Sequence, residues 1–242
     1  MVNLKVDVLA SMGTPATLAA KRATTTIPIV MESLSDVVST GLVSNLARPE
    51  GNVTGVSGFA SELSGKRLEL IREILPQANR IAVLLNRANP ATAPVLRATE
   101  SAAQQMRMKL HVIDVRRPAQ LGPAFETVRR ERADALTLVA DPLLFSERPQ
   151  IVQLAARYRV PTIFEFRLFA DAGGLLSYGP LARERFQRMA WYVDRILRGV
   201  QPGELPIEQP TKFELVINLK TAKTLGLTIP QSILGRADQV IE

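Results

Sequence analysis

The sequence predicts an α/β protein built on parallel sheets, and two observations carry that prediction. Short, almost continuously apolar runs alternate with longer amphipathic ones, and four successive apolar runs begin at Arg80, Leu110, Ala135 and Pro161, about 25 to 30 residues apart. A strand that is apolar along its whole length is buried on both faces, as in a parallel sheet with helices on either side. The spacing suits one strand plus one crossover helix, so residues 80–166 are expected to form a doubly wound unit with the flavodoxin-like strand order.

Taken in order, the expected strands are Val6 to Leu9, Ile27 to Met31, Arg80 to Leu85, Leu110 to Val115, Ala135 to Ala140 and Pro161 to Phe164. Met1 to Lys5 reads as the tail of a helix running straight into the first of these. The first sheet is therefore expected to lack its opening strands and to present an apolar edge suited to self-association. Leu63, Leu70, Ile71, Ile74 and Leu75 share one helical face, as do Phe186, Met189, Ala190, Val193, Ile196 and Leu197. Gly199 stands where a glycine ends a helix, and residues 201–206 read as a connector.

With 242 residues and 46% hydrophobic composition, the chain can bury one large core or two small ones. It contains no cysteine, which removes disulfides, thiolate nucleophiles and thiolate metal sites. The single histidine, His111, lies in the apolar alternation of Leu110, Val112 and Ile113 and reads as a strand residue, so neither a Ser-His-Asp arrangement nor a zinc cluster is expected. The net charge of +7 is spread over arginines interleaved with acids, as in Arg129, Arg130, Glu131 and Arg132 and again in Arg183, Glu184 and Arg185. That is the pattern of a solvated helix face, and no nucleic-acid partner is expected. No apolar run reaches the ~18 residues of a membrane span, and Met1 does not open a signal peptide.

Two blocks of motifs carry a family resemblance. The first comprises Ser11-Met12-Gly13-Thr14-Pro15-Ala16, Thr26-Ile27-Pro28-Ile29-Val30, Ser35-Asp36 and the run from Leu46 to Gly55 (LARPEGNVTG). The second comprises Asp141-Pro142, Phe164-Glu165-Phe166, the run from Ala172 to Pro180 (AGGLLSYGP) and the run from Gln209 to Lys223 (QPTKFELVINLKTAK). In this order they resemble the ABC-transporter substrate-binding family whose members include tryptophan and phenylalanine binders. The resemblance implies a type I periplasmic-binding fold of two doubly wound lobes, joined by several crossings and closing on a ligand. It implies lobe one at 1–59 and 174–203, lobe two at 60–173 and 204–242, and hinges near Phe59, Gly173 and Gly203. It also implies an export signal and a further strand, helix, strand and helix ahead of the position of Met1, roughly fifty residues by the size of a βαβ unit.

The implied function is the extracytoplasmic solute-binding component of an ABC importer. It would capture a small ligand, an amino acid or related carboxylate, and present it to a membrane permease, without catalysis, cofactor or metal. The same fold also serves as the ligand-sensing effector domain of regulatory proteins, which is the alternative reading.

Ligands of open α/β sheets sit beyond the carboxyl ends of the strands, where loop amides and helix starts collect. That rule selects Ser11 and Thr14 after the first strand, Thr14 either receiving a ligand carboxylate or capping a helix. It selects Ser33, Ser35 and Asp36 after the second strand, with Asp36 again a ligand contact or a cap. Asn86 follows the Arg80 strand. Asp141 is either the start of a turn before Pro142 or the anchor of a ligand ammonium. In Phe164-Glu165-Phe166, alternation sends the acid opposite to the rings, so at least one Phe belongs to the core; Phe164 and Glu165 are both candidates. Tyr178 suits a place with one apolar and one wet side. Trp191 reads as helix packing.

Overall fold

The computed structural model describes residues 2–33 and 35–242. In chain order the elements begin with β1 (Leu9–Met12), α1 (Thr14–Ala23), β2 (Ile29–Ser33), β3 (Val53–Ser57), α2 (Ala60–Ile74), β4 (Arg80–Leu85), α3 (Thr92–Gln105) and β5 (Lys109–Asp114). There follow α4 (Leu121–Arg130), β6 (Ala135–Leu138), α5 (Pro142–Ser146), α6 (Arg148–Arg157), β7 (Ile163–Phe164), α7 (Arg167–Asp171) and β8 (Leu176–Pro180). The last are α8 (Ala182–Leu197), β9 (Phe213–Asn218), α9 (Leu219–Leu225), α10 (Gln231–Leu234) and β10 (Gln239–Ile241). The chain divides into two compact units. One holds the residues up to Phe59 with Asn89–Pro94 and Pro180–Lys212; the other holds Ala60–Ala88, Val95–Gly179 and Phe213–Glu242.

In the first unit three parallel strands lie in the order β1-β2-β3, with Leu9 opposite Ile29 and Ile29 opposite Val53. Alternate residues of β2 enter different cores. Ile29 and Met31 pack with Leu9, Leu42, Val53 and Ile207, whereas Val30 packs with Val56 and with Met189, Tyr192 and Ile196 of α8. This two-sided burial is the physical reason for the unbroken apolar run. β1 lies at the outer edge of the sheet with β2 beside it, alternating buried and exposed residues, and its Met12 is 51% exposed.

The first two strands begin later than their apolar runs. Val2–Leu4 form a short 3-10 turn and Lys5 takes a φ of 51°, so the chain joins the sheet only at Leu9, where the amide donates to Pro28 O. The expected helix tail is thus a single turn; its Met1 lies outside the described residues. The shift places Ser11 inside β1 and Ser33 at the end of β2, not in the loops that follow. β3 gives no apolar run, because Thr54, Gly55 and Ser57 interrupt it. Gly55 has a φ of 135°, and a Cβ there would stand 2.1 Å from Met31 O, so close pairing with β2 requires a glycine.

In the second unit the parallel trio β5-β4-β6 adjoins β7 through the bridge between Leu136 and Thr162, and the sheet continues β7-β8-β9-β10. The sequence β5-β4-β6-β7-β8 is the expected flavodoxin-like order, extended by two strands. One face is covered by α2 through Leu68, Leu70, Ile71 and Ile74, with Ala222 of α9 and Ile233 of α10; the other is covered by Phe125 and Val128 of α4, Ile151 of α6 and Phe169 of α7. α8 runs from Ala182 as expected, and beyond its last turn Gly199 takes a φ of 97°.

The unit boundaries differ from the expected lobes. Residues 174–179 stay with the second unit, because β8 pairs with β7, Ile163 opposite Leu176 and Phe164 opposite Ser177. Residues 204–212 stay with the first, because Ile207 N–H donates to Leu46 O, Glu208 bridges to Val56 and Leu205 enters the core beside α8. Asn89–Pro94 also joins the first unit.

The glycines of the first unit give a test. Gly51 also has a positive φ, 81°, but nothing lies within 4 Å of a Cβ built on it. Gly51→Ala should cost about 1 kcal/mol from backbone conformation alone. Gly55→Ala adds a backbone clash and should cost about 3 kcal/mol or more. Urea midpoints compare the two, and equal losses would contradict the close β2–β3 approach.

Candidate functional site

Three hydroxyls meet at the carboxyl ends of β1 and β2. Thr14 Oγ1 lies 2.9 Å from both Ser33 Oγ and Ser35 Oγ, and the two serine hydroxyls are 3.0 Å apart. All three residues are buried, between 1% and 4% exposed. The local fold explains the meeting. Gly13, with a φ of 80°, occupies the cap position of α1 and donates its N–H to Glu32 O, so Thr14 becomes the first helical residue and its hydroxyl is directed at β2. The capping role weighed for Thr14 therefore belongs to the Gly13 backbone. Ser57 Oγ donates to Ser35 O and fixes the loop from the β3 side. A closed triangle of hydroxyls uses its three protons internally, and rotation of the C–O bonds is enough to turn them toward an anion.

Ser11 and Asp36 lie nearby in sequence but are engaged elsewhere. Ser11 Oγ pairs with Thr17 Oγ1 at 2.9 Å, and Thr17 donates to Gly13 O. Asp36 is exposed, and its Oδ1 accepts from Val38 N at 2.9 Å and Ser39 N at 3.3 Å, so it caps the turn that follows.

In the second unit Asn86 and Asp141 are brought together. Asn86 Nδ2 lies 3.4 Å from Asp141 Oδ1 and 3.3 Å from Oδ2, while its own Oδ1 accepts from Ala88 N. Asp141 caps α5, accepting from Leu143 N at 2.9 Å and Leu144 N at 3.4 Å ahead of Pro142. The turn start weighed for Asp141 is thus the first turn of a helix. Phe164 is fully buried and its ring stacks on Phe169 with centroids 4.4 Å apart, so of the trio it is the core member. It offers no ring face to a ligand, a correction to its place among the candidates.

Glu165, pointing the other way, is 2% exposed, and neither carboxyl oxygen has a hydrogen-bond donor. The nearest cation is Arg67 of α2, with Nη1 3.8 Å from Oε1. Burial drives the Glu165 carboxyl above the ordinary carboxylate range, and the Arg67 charge acts against that shift. Tyr178 is half-buried, its ring centroid 6.4 Å from that of Phe213.

Several residues of these clusters have a weak sequence signal. Ser33 ends a strand two positions before Ser35. Arg67 falls four residues after Leu63 and four before Ile71, inside the apolar stripe of α2, and a cation there asks for a buried partner. Arg185 falls likewise four before Met189 on α8; it is buried in an ion pair with Glu32 of β2, a correction to the solvated face expected of Arg183, Glu184 and Arg185. His111 is a strand residue of β5, with Nδ1 3.3 Å from a Glu131 oxygen. Trp191 packs less than expected: it is 37% exposed, with the Arg188 guanidinium 4.2 Å and that of Arg195 5.7 Å from its ring. Among the described residues no group of three or more His, Cys, Asp or Glu is placed to hold a metal, and no helix is long and apolar enough to cross a membrane.

The Glu165 environment has a signed consequence. An acid whose folded-state pKa lies above its unfolded value contributes stability below the unfolded value and loses it as pH rises. Glu165→Gln removes that titration and also leaves Arg67 without a counter-charge. The melting temperature of the variant minus that of the wild type should therefore become more positive between pH 4.5 and pH 8. A difference that is flat with pH would refute the assignment.

Comparison with known proteins agrees with this architecture. The chain is 29% identical to a conserved domain protein of Vibrio cholerae, covering 99% of this chain and 80% of that structure with a TM-score of 0.92. It is 26% identical to an ABC domain from Streptococcus pneumoniae solved with L-Trp, over 99% of this chain and 80% of that one, with a TM-score of 0.91. A tyrosine-binding protein of Clostridioides difficile is 26% identical over 226 residues, 93% of this chain; the match spans 65% of that relative's length. The fold is that of the type I periplasmic-binding proteins. Because the model for ABC transporter substrate binding proteins matches residues 1–241, from before β1 to the last strand, the chain belongs to that family.

Proposed function

We propose that this chain is the extracytoplasmic solute-binding component of an ABC importer and that its ligand is an amino acid. The observation that carries the reading is the buried triangle of Thr14, Ser33 and Ser35 at the start of α1. Three convertible donors beside the positive end of a helix suit a carboxylate. The ligand carboxylate sits at the carboxyl ends of β1 and β2 in the first unit, where Ser11 and Asp36 shape the loops around the hydroxyls. Asn86, Asp141 and Tyr178 are the candidate ligand contacts of the second unit. The relatives support an aromatic side chain on the ligand, one being a tyrosine-binding protein and another solved with L-Trp. A membrane permease would take the ligand from the loaded protein. Binding is the whole activity in this reading, with no reaction catalysed.

Isothermal calorimetry against L-tryptophan, L-tyrosine, L-phenylalanine and an aliphatic amino acid tests it. At least one aromatic amino acid should bind, and Thr14→Val should weaken it about 10- to 100-fold, the effect of losing a hydrogen bond to a charged group. No heat from any member, or full affinity in the variant, would overturn the reading. Self-association through the outer edge of β1 belongs to the same proposal. Light scattering should then show mass rising with concentration, whereas a single-chain mass throughout would refute it.

A further inference from the structure

Arg67 occupies an unusual place for a charged residue, 3% exposed on the apolar stripe of α2. Its Nη2 donates to Ala60 O at 3.1 Å and its Nη1 to Tyr178 O at 3.3 Å. These carbonyls mark particular points of the chain. Ala60 opens the first segment of the second unit, and Tyr178 stands one residue before Gly179, where the second segment ends. A Cβ on Gly179 would lie 2.0 Å from Glu165 O, so the main chain at 179 rests directly on that of Glu165. The Tyr178 ring in turn neighbours Phe213, the first residue of the third segment. Two segment ends of one unit thus meet on a single guanidinium, with the third beside the Tyr178 ring, and the Glu165 carboxyl lies 3.8 Å from the guanidinium without a hydrogen bond.

We infer that Arg67, charge-balanced by Glu165, is a positioning residue of the binding site, fixing Tyr178 and the segment ends on either side of it by spanning two main-chain carbonyls. The inference rests on the solute-binding reading above. A planar guanidinium reaches two carbonyls at once, which the single ammonium of a lysine cannot do in the same geometry. Glu165 serves here through Arg67 and through the backbone at Gly179. The buried pair therefore acts on affinity through the placement of Tyr178.

Fluorine NMR of protein labelled with 3-fluorotyrosine tests this without a ligand. There are three tyrosines, Tyr158, Tyr178 and Tyr192, and Tyr178→Phe assigns the relevant signal. In Arg67→Lys, which keeps the charge opposite Glu165, the Tyr178 signal should shift or split while the other two stay in place. Affinity for L-tryptophan should fall about tenfold, as for loss of one charge-assisted hydrogen bond. If the lysine variant does not fold, the double variant Arg67→Met with Glu165→Leu removes both charges together and should give the same selective response. An unmoved Tyr178 signal overturns the positioning role alone. Absence of amino-acid binding by the wild-type protein overturns the solute-binding reading, and the role with it.

Discussion

Burial of parallel strands on both faces is the constraint from which the rest of this structure follows. A strand with helices above and below has no wet face, so its interior positions must be apolar, and polar side chains collect at its ends. In β2, Ile29, Val30 and Met31 supply two cores in alternation, and only beyond them do Glu32, Ser33 and Ser35 appear. The same rule places Asn86 after β4, Asp141 after β6 and Glu165 after β7. In each unit the clustering of polar side chains at strand ends and helix starts is thus a by-product of the way its sheet is covered.

Two buried ion pairs show how the fold handles charge where the rule is broken. Removing an ion from water costs several kcal/mol even after relaxation, so an arginine on an apolar helical stripe persists only beside an acid or among carbonyls. Arg185 of α8 meets Glu32 of β2, which ties the helix to the sheet it covers in the first unit. Arg67 of α2 meets Glu165 and two main-chain carbonyls in the second. The pairs differ in kind. Glu32 is bonded directly to its arginine, whereas Glu165 balances charge at a distance and has no donor of its own.

The hydroxyl triangle of the first unit is chemically distinct from both. Hydroxyls satisfy one another when alone and can be redirected by bond rotation, so their burial leaves no unmet charge. The proposed carboxylate site relies on this property. Asp141 and Asn86 follow a different logic, since Asp141 already terminates α5 and its carboxylate is oriented by backbone amides. An acid held in this way is pre-organised, and any partner meets it in a fixed direction.

The sequence by itself determined the α/β class, the strand order of residues 80–166 and the span of α8, because all of these are written in local periodicity. It also marked Thr14, Ser35, Asn86 and Asp141 as strand-end residues. Only the tertiary structure decided the rest. β3 was illegible because its glycine is demanded by Met31 O on a neighbouring strand, and β8 and β9 because Ser177 and Gly179 in one and Glu214 in the other interrupt the apolar run. The starts of β1 and β2 were misread because the ladder, not hydropathy, sets where pairing begins. Arg67 and Arg185 looked like ordinary helix charges until their partners, 98 and 153 residues distant in sequence, were brought beside them. A periodic pattern reports which face is buried, but what that face meets depends on contacts that no local window contains.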